Sequence, residues 1–290
     1  MLQILLTGGD GFIGRNLKEA WRNRYSVVYP KSSELDLLDG GAVEQFVASH
    51  RFDVVIHAAT WNATTTSTKD LSRVFENNCR IFFNLERAKN SYGRLISFGS
   101  GAEYDRASME PLTPEDRFSC HIPTDSYGFS KYVIARMIER SSSACNLRLF
   151  AVFGAHEDWR IRFISNACCR ALFNLPITIR QNRRFDYMHV GDLAMIVGWF
   201  IEHTPHHASY NVCTSRPIDL LTLAEIVLEV SAKHLPIQVA EEGSGLEYSG
   251  DNSRLLAEMG CFSFADVKSR IEELYNWYEA RKDSIDPSLL

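Results

Sequence analysis

The sequence predicts an α/β protein with a doubly wound parallel sheet, and three observations support this fold class. Short apolar runs alternate with segments of helical period over the first half of the chain, which implies parallel strands joined by crossover helices. A glycine-rich segment lies between the first predicted strand and the first predicted helix. The chain has 290 residues, 45% hydrophobic and 23% charged, which suits one large domain or a large and a small one.

The predicted elements follow one another in strict order up to residue 154. The strands are QILLTG (3–8), YSVVYP (25–30), DVVIHAA (53–59), RLISFGS (94–100) and NLRLFAVFG (146–154). The helices between them are GRNLKEAWRN (14–23), GGAVEQFVASH (40–50), LSRVFENNCRIFFNLERAKNS (71–91) and DSYGFSKYVIARMIERSS (125–142). Beyond this point the alternation is looser: residues 210–230 predict a strand, a loop and a helix, and 264–284 a closing helix. We therefore predict a main domain at 1–154, with a return segment near 186–214, and a smaller mixed α/β lobe at 155–290.

Composition and charge argue against several classes of partner. The net charge of −5 leaves no basic surplus for nucleic acid, and no apolar run approaches the ~18 residues of a membrane span. The segment HTPHH (203–207) has no partner cysteine or carboxylate cluster at ligand spacing, so we expect no metal site. The seven cysteines are odd in number and include no C-x-x-C pair, and the first residues resemble no signal peptide. We expect reduced thiols and a cytoplasmic location.

The segment TGGDGFIG predicts a dinucleotide-binding loop. Gly8, Gly11 and Gly14 have G-x-x-G-x-x-G spacing, with Phe12 and Ile13 at the start of the following helix. Glycines in this position let the backbone turn tightly and approach a pyrophosphate, and the helix N-terminus supplies free N–H groups.

The end of the second strand favours NADP(H), with NAD(H) as the alternative. An NAD site typically has an acidic residue about 20 residues after the glycine loop, where it binds the ribose hydroxyls. Here Lys31, Ser32 and Ser33 occupy that stretch. A lysine and two hydroxyls would bind the additional phosphate of NADP, which a carboxylate would repel.

The segment SYGFSKYVIAR (126–136) places Tyr127 and Lys131 four residues apart, on one face of a predicted helix. Taken alone, this pair is typical of a helix surface. A phenol near an ammonium group, however, is a better proton donor at neutral pH than an isolated phenol. With a dinucleotide loop upstream, the pair gains a second interpretation as a proton donor and a lysine that binds the cofactor's ribose.

Seven stretches together resemble the extended short-chain dehydrogenase/reductases, the group of nucleotide-sugar epimerases, dehydratases and reductases. They cover nearly the whole chain: TGGDGFIG, VIHAAT (55–60), FGSGAEYD (98–105), PTDSYGFSK (123–131), LRLFAVFG (147–154), FDYMHVGDLA (185–194) and YNVCTSRPIDLLTLAEI (210–226). The resemblance implies an NADP-binding Rossmann domain at 1–154 and a substrate-binding lobe at 155–290. It also implies a homodimer through the helices around Asn78 and Tyr127.

Matching positions assign the site residues. The predicted catalytic residues are Ser100, which would polarise the substrate carbonyl, Tyr127 as proton donor, and Lys131. The predicted cofactor-binding residues are Gly8, Gly11, Phe12, Ile13, Gly14, Lys31, Ser32, Asp36, Leu37, Ala58, Ala59, Thr60, Asn78, Tyr127, Lys131 and Val152. The predicted substrate-binding residues are Trp61, Ser100, Gly101, Arg162 and Arg184, with the arginines binding the diphosphate of a nucleotide sugar.

Departures from the family's patterns favour one reaction. Family members that epimerise GDP-sugars use a cysteine two residues after the catalytic serine and a later histidine. Here Ala102 and Arg162 stand at those positions, and neither side chain can exchange a proton. The dehydratases use an Asp-Glu pair next to the catalytic residue, whereas here only Glu103 is acidic. We expect Glu103 to make an ordinary polar loop contact, with a contact to the sugar as the alternative.

The resulting hypothesis is an NADP(H)-dependent reductase of a nucleotide-diphosphate-linked 4-keto-6-deoxy sugar. One alternative is an NAD-dependent nucleotide-sugar epimerase. Another is a non-catalytic cofactor-sensing or scaffold protein on the same fold. The substitutions Ala151, Ala155 and Phe185 lie where the family binds its sugar, so the sequence does not identify the sugar or the base.

Overall fold

The computed structural model describes residues 1–61, 64 and 66–290. The strands are β1 (Gln3–Thr7), β2 (Ser26–Val28), β3 (Val54–His57), β4 (Arg94–Ser100), β5 (Ala144–Leu149), β6 (Ala151–Phe153), β7 (Ile177–Asn182), β8 (Arg184–Phe185), β9 (Tyr187–His189), β10 (Ser209–Val212), β11 (Ile218–Asp219) and β12 (Ile237–Ser244). The α-helices are α1 (Phe12–Trp21), α2 (Gly40–His50), α3 (Val74–Arg87), α4 (Ser126–Ile138), α5 (Phe163–Leu172), α6 (Val190–Glu202), α7 (Leu220–Ser231), α8 (Ser253–Met259) and α9 (Val267–Glu279).

The central sheet has six strands in the order β10-β5-β4-β3-β1-β2. Every neighbouring pair in this sheet is parallel. The chain leaves β1 toward β2 on one side and continues with β3 on the other, so the strand order reverses between β1 and β3. In such sheets the ligand crevice lies at the carboxyl ends of the strands beside this reversal. The structure confirms the predicted fold class and locates the crevice beside the glycine loop.

Both faces of the central sheet are covered by helices. Ile4 and Leu6 of β1 pack in a cluster with residues of α1 and α6, and Leu5 between them packs in a cluster with residues of α2, α3 and α4. Successive side chains of a strand point to opposite faces, so a strand buried on both faces reads as an unbroken apolar run. This explains why Ile4, Leu5 and Leu6 in β1 are all apolar.

A third apolar cluster lies in the C-terminal half of the chain. It joins α5, α7, α9 and β7 through residues such as Ile164, Leu223 and Leu274. Three two-stranded sheets accompany it: β12 with β7, β11 with β8, and β6 with β9. β10 belongs to the central sheet and falls within the return segment predicted near 186–214, while the domain boundary at residue 154 stays a prediction.

Several elements differ from the sequence-based expectation: α5, β7 and β12 were not predicted, and two further differences have a clear structural cause. The run NLRLFAVFG, predicted as one strand, forms β5 and β6 on either side of Phe150 because β5 pairs within the central sheet and β6 pairs with β9 instead. Helix α6 was not predicted: it is buried along most of its length, so it lacks the polar face that produces a helical period. Among the described residues, no helix combines the length and apolarity that a membrane crossing requires.

Candidate functional site

The glycine loop packs tightly between β1 and the segment that follows β3. Gly8 has a positive φ of 73°, and a Cβ on it would lie 2.8 Å from the backbone of Ala59. A Cβ on Gly14 would lie 2.3 Å from the carbonyl oxygen of Gly8. Helix α1 can therefore approach the loop this closely only with glycine at position 14. The N–H of Ala59 donates to Thr7 Oγ1 at 3.3 Å, which fixes the Ala58–Ala59 segment beside Gly8.

Helix α1 begins without a side-chain cap in the described structure, whereas Asp39 caps α2 and Asp125 caps α4. The N–H groups of Phe12 and Ile13, in the first turn of α1, have no partner within the helix, and the helix dipole adds partial positive charge at this end. A loop with no room for a Cβ at Gly8 or Gly14, followed by a helix without a side-chain cap, fits the pyrophosphate of a dinucleotide.

The predicted phosphate-selecting residues lie at the surface after β2. Lys31 and Ser32 are exposed, and the backbone N–H of Lys31 donates to Glu34 Oε2 at 2.7 Å. Lys18 approaches the same region, with its ammonium group 4.3 Å from the ring centroid of Tyr29. The glycine loop itself contacts this tyrosine, because a Cβ on Gly9 would lie 2.7 Å from Tyr29 Cβ.

The neighbouring adenine-side residues lie on one loop. Asp36 is exposed and accepts a hydrogen bond from the N–H of Leu38 at 2.9 Å. Leu37 is half-buried against the cluster formed by α2 and α3. Across the crevice, Val152 of β6 is partly buried against the cluster on the other face of the sheet.

Asn78 holds the segment after β3 in place. Its Oδ1 accepts from the N–H of Trp61 at 2.7 Å and from the hydroxyl of Thr60 at 3.0 Å, and its Nδ2 donates to Ser130 Oγ at 3.3 Å. The side chain is buried, and these three bonds lie within the protein. These bonds hold Thr60 and Trp61 beside the glycine loop, and the direct contact of Asn78 with the cofactor stays a prediction. The indole N–H of Trp61 donates to the carbonyl oxygen of Asp70 at 3.0 Å.

The predicted catalytic residues come from two adjoining elements at the carboxyl edge of the sheet. Ser100 ends β4, and Tyr127 and Lys131 lie on α4. Gly128 lets α4 approach the serine turn, because a Cβ there would lie 2.8 Å from the carbonyl oxygen of Ala102. The structure thus brings together the two segments that carry the three residues.

Lys131 is buried in the crevice. Its ammonium group donates to the carbonyl oxygen of Phe98 at 2.7 Å and lies 6.0 Å from the ring centroid of Tyr127. Burial, together with the charge of Lys131, lowers the pKa of His57 to about 3, so this histidine at the end of β3 is neutral. His57 therefore adds no positive charge beside Lys131 at neutral pH.

The serine turn is closed by a capping box. Ser100 Oγ accepts from the N–H of Ala102 at 3.1 Å, and Glu103 Oε1 accepts from the N–H of Ser100 at 2.9 Å. Two backbone donors are satisfied reciprocally in this arrangement. The orientation of the Ser100 hydroxyl is therefore set by the turn that follows β4.

Glu103 forms an ion pair inside the protein rather than the predicted polar loop contact, and that expectation was wrong. Its Oε2 accepts from Arg148 Nε at 2.5 Å, and neither side chain is exposed by more than 1%. Asn146 Nδ2 donates to both carboxylate oxygens, at 3.1 and 2.9 Å. The guanidinium group of Arg148 lies 4.2 Å from the ring centroid of Phe118. The carboxylate of Glu103 is therefore occupied by its bonds to Arg148 and to the N–H of Ser100.

Two aromatic residues that the sequence did not single out also face this turn. The hydroxyl of Tyr248 lies 3.4 Å from Ser100 Oγ, and its ring centroid lies 5.3 Å from that of Phe150. Gly101 leaves space for both rings, because a Cβ on it would lie 2.7 Å from the Tyr248 hydroxyl. Burial raises the pKa of Tyr248, which keeps it a neutral phenol at physiological pH.

The predicted substrate arginines lie in different surroundings. Arg184 lines a cavity of about 660 Å³ together with Tyr187, Arg216, Pro217 and Glu247. Arg162 precedes α5 and is exposed. Burial raises the pKa of Glu157 to about 8, and the positive charge of Arg162 opposes this rise. Arg162 is not among the described residues that line the Arg184 cavity.

The sequence from residue 4 to residue 213 matches the model of the NAD-dependent epimerase/dehydratase family. The chain belongs to this family. The match runs from β1 to the residue after β10, and so includes the glycine loop, the serine turn and α4. UDP-glucose 4-epimerase from Lacticaseibacillus casei is 23% identical over 314 residues, which cover 96% of this chain and 92% of that protein.

Two solved structures extend the comparison within the epimerase/dehydratase fold. GDP-mannoheptose C4 reductase from Campylobacter jejuni, with NADP bound, has a TM-score of 0.81 and 20% identity, covering 96% of this chain and 98% of that one. The enzyme WbmG from Bordetella bronchiseptica, in complex with NAD, has a TM-score of 0.81 and 22% identity, covering 96% and 94%. At these identities the structures establish the common fold, and the cofactors belong to the proteins named.

Proposed function

We propose that this protein is an NADP(H)-dependent reductase of a nucleotide-diphosphate-linked 4-keto-6-deoxy sugar. The observation that carries the proposal is the composition of the site. Ser100, Tyr127 and Lys131 lie at the carboxyl edge of the sheet that also carries the glycine loop, and the two residues that follow Gly101 supply no free acid or base. Ala102 cannot exchange a proton, and Glu103 is engaged by Arg148. Ser100, Tyr127 and Lys131 suit hydride transfer at a carbonyl, and positions 102 and 103 supply no acid or base for moving a proton at a sugar carbon.

Each residue would have a defined role in carbonyl reduction. When bound, the nicotinamide cofactor supplies the hydride that the carbonyl carbon receives. The Ser100 hydroxyl donates to the carbonyl oxygen, and Tyr127 transfers its proton to the same oxygen as negative charge develops there. Lys131 spends one N–H on Phe98, which leaves two for the ribose hydroxyls and for the phenol. Phe12 and Ile13 would bind the pyrophosphate through their N–H groups.

The nucleotide diphosphate would bind in the C-terminal half of the chain. Arg184 and Arg216 bring two guanidinium groups to the 660 Å³ cavity, and Tyr187 contributes an aromatic wall. Arginines bind phosphate oxygens in pairs of parallel hydrogen bonds, so this cavity is our candidate for the diphosphate subsite. Glu247, 3.5 Å from Arg184, holds that guanidinium group until phosphate displaces it.

A homodimer through α3 and α4 also forms part of the proposal. The rings of Phe75 and Phe129 stack at 5.0 Å between these helices, and Phe129 is exposed. Leu71, just before α3, is exposed as well. Apolar groups gathered on one surface are typical of an interface. Size-exclusion chromatography is expected to give a dimer, and a mass of 33.0 kDa would contradict it.

The preference for NADP(H) can be tested at Lys31. Lys31→Ala is expected to raise the Kd for NADPH roughly tenfold and leave the Kd for NADH unchanged, because the exposed ammonium group would bind only the additional phosphate. Fluorescence titration with both cofactors measures the two constants. Glu34→Gln is the matched control of opposite sign, because losing a nearby carboxylate should tighten NADPH binding. An equal rise in the Kd for both cofactors would show that Lys31 does not bind the additional phosphate of NADPH.

The reaction is tested by incubating the protein with a panel of 4-keto-6-deoxy sugar nucleotides that differ in their base. The expected result is stoichiometric NADPH oxidation with at least one member and formation of the corresponding alcohol. The alternative, an NAD-dependent nucleotide-sugar epimerase, is favoured by the length over which UDP-glucose 4-epimerase matches this chain. Interconversion of nucleotide hexoses without net cofactor consumption would establish that alternative and overturn the reductase.

A further inference from the structure

The Tyr248 phenol reaches the serine turn from a distant part of the chain. Its hydroxyl lies 3.4 Å from Ser100 Oγ, although the two residues are 148 positions apart. The backbone of Tyr248 is held on both sides of the residue: its N–H donates to the carbonyl oxygen of Arg184 at 2.9 Å, and its own carbonyl accepts from the N–H of Asp186 at 3.0 Å. The phenol is therefore presented to Ser100 by an ordered strand-like contact.

Two glycines make this approach possible. A Cβ on Gly101 would lie 2.7 Å from the Tyr248 hydroxyl and 2.8 Å from the Phe150 ring. A Cβ on Gly250 would lie 2.4 Å from the other edge of the Phe150 ring. Phe150 thus fills the space between the glycines and supports the Tyr248 ring at a centroid distance of 5.3 Å. Separate parts of the chain combine to hold one hydroxyl against the serine.

The hydrogen-bonding capacity of Ser100 gives this contact a consequence. A serine hydroxyl has one proton to donate and two lone pairs that accept. The N–H of Ala102 occupies one lone pair, at 3.1 Å. Because burial keeps Tyr248 protonated, its O–H can occupy the second lone pair. Catalytic hydrogen bonds that are long without substrate commonly tighten when it binds, which suits the 3.4 Å contact.

We propose that Tyr248 is a positioning residue: its hydroxyl donates to Ser100 Oγ, so that Ser100 can act only as a donor, toward the substrate's carbonyl oxygen. With both lone pairs occupied, the serine proton has a single direction left. A pre-oriented donor stabilises developing negative charge without first reorienting, and this is the benefit expected from Tyr248. The inference rests on the proposed function, because it assumes that Ser100 binds the oxygen to which hydride transfer adds charge.

A double-mutant cycle on kcat tests whether Tyr248 acts through Ser100. Tyr248→Phe keeps the ring and removes the hydroxyl, and it is expected to lower kcat roughly tenfold with little change in KM, as the loss of one hydrogen bond in the transition state predicts. In a Ser100→Ala background the same change should lower kcat by less than about twofold, because the group it acts on is gone. Tyr278→Phe, which removes a buried hydroxyl bonded to the Glu157 carbonyl, is the control and should leave kcat unchanged.

Two outcomes would overturn the inference. Equal losses in the wild-type and Ser100→Ala backgrounds would mean that Tyr248 contacts the substrate itself, and an unchanged kcat in Tyr248→Phe would mean that the contact has no catalytic consequence. The cycle is run on whichever nucleotide sugar the wild type converts, by reduction or by interconversion. A wrong reductase assignment therefore appears in the wild-type reaction, while a wrong role for Tyr248 appears in the coupling between the two substitutions.

Discussion

Replacing Tyr127 by phenylalanine is expected to lower kcat for carbonyl reduction by about 10²- to 10⁴-fold, the usual contribution of a positioned general acid. The ring keeps its place on α4, and Lys131 keeps its bond to the Phe98 carbonyl, so the crevice retains its shape and charge. Only the proton destined for the carbonyl oxygen is missing. Steady-state kinetics should show the loss in kcat and in kcat/KM together.

Tyr132→Phe is the matched control for this prediction. Tyr132 lies on the same helix, and its ring packs 5.2 Å from that of Phe118 rather than in the crevice. The same chemical change at this half-buried position should leave kcat within about twofold of wild type, since the ring keeps its packing against Phe118 and the Tyr132 hydroxyl has no proposed role in the reaction. If Tyr127→Phe kept more than a tenth of the wild-type kcat, another group would have to supply the proton. Full retention would instead support the non-catalytic alternative.

Much of the fold could be predicted because local pattern and tertiary role agree. β4 was predicted at 94–100 and lies at Arg94–Ser100, and α2 was predicted at 40–50 and lies at Gly40–His50. In α2 the start is marked by the Asp39 cap, whose carboxylate accepts from the N–H of Ala42 at 3.0 Å. Strands buried on both faces and helices with caps leave clear traces in a sequence.

The elements that were missed depend on partners distant in the chain. Nothing within residues 146–154 indicates that the strand must end at Leu149, because the break arises from β6 pairing with β9. Helix α6 is apolar on nearly all sides because it packs in one buried cluster with α1 and the central sheet, and burial of this kind removes the amphipathic signal. Tertiary context decided these elements, and local propensity did not.

The residues of the candidate site also differ in whether their surroundings come from neighbours in the sequence or from distant parts of the chain. Gly8, Gly14, Ser100 and Lys131 lie in short motifs where backbone geometry and chemistry come from neighbouring residues, so the sequence could locate them. Tyr248 could not be found in this way, because it reaches Ser100 across 148 positions and no local motif indicates that Gly101 and Gly250 make room for the Phe150 ring beside it. Glu103 was misinterpreted for a related reason, since its partner Arg148 lies 45 positions away.

The buried pair formed by Glu103 and Arg148 yields the largest expected effect on stability. Arg148→Met is expected to lower the free energy of unfolding by about 3–5 kcal/mol, because it leaves a carboxylate buried without its counter-charge. The double variant Glu103→Gln, Arg148→Met should recover most of this loss, since it removes both charges and the amide oxygen of the introduced glutamine can still accept from the Ser100 N–H. Urea denaturation followed by circular dichroism gives the free energies from the midpoints and slopes.

Arg180→Met provides the surface control for this comparison. Arg180 pairs with Glu241 at 2.7 Å, but its side chain is 86% exposed, so water and salt screen the interaction and its removal should leave the midpoint nearly unchanged. A double variant no more stable than Arg148→Met would mean that packing of the guanidinium group against Phe118, rather than charge balance, carries the stabilisation. If kcat is measured as well, the double variant could recover its stability and still have a low kcat. That result would mean that the charged pair holds the serine turn in its reactive geometry better than a neutral hydrogen bond does.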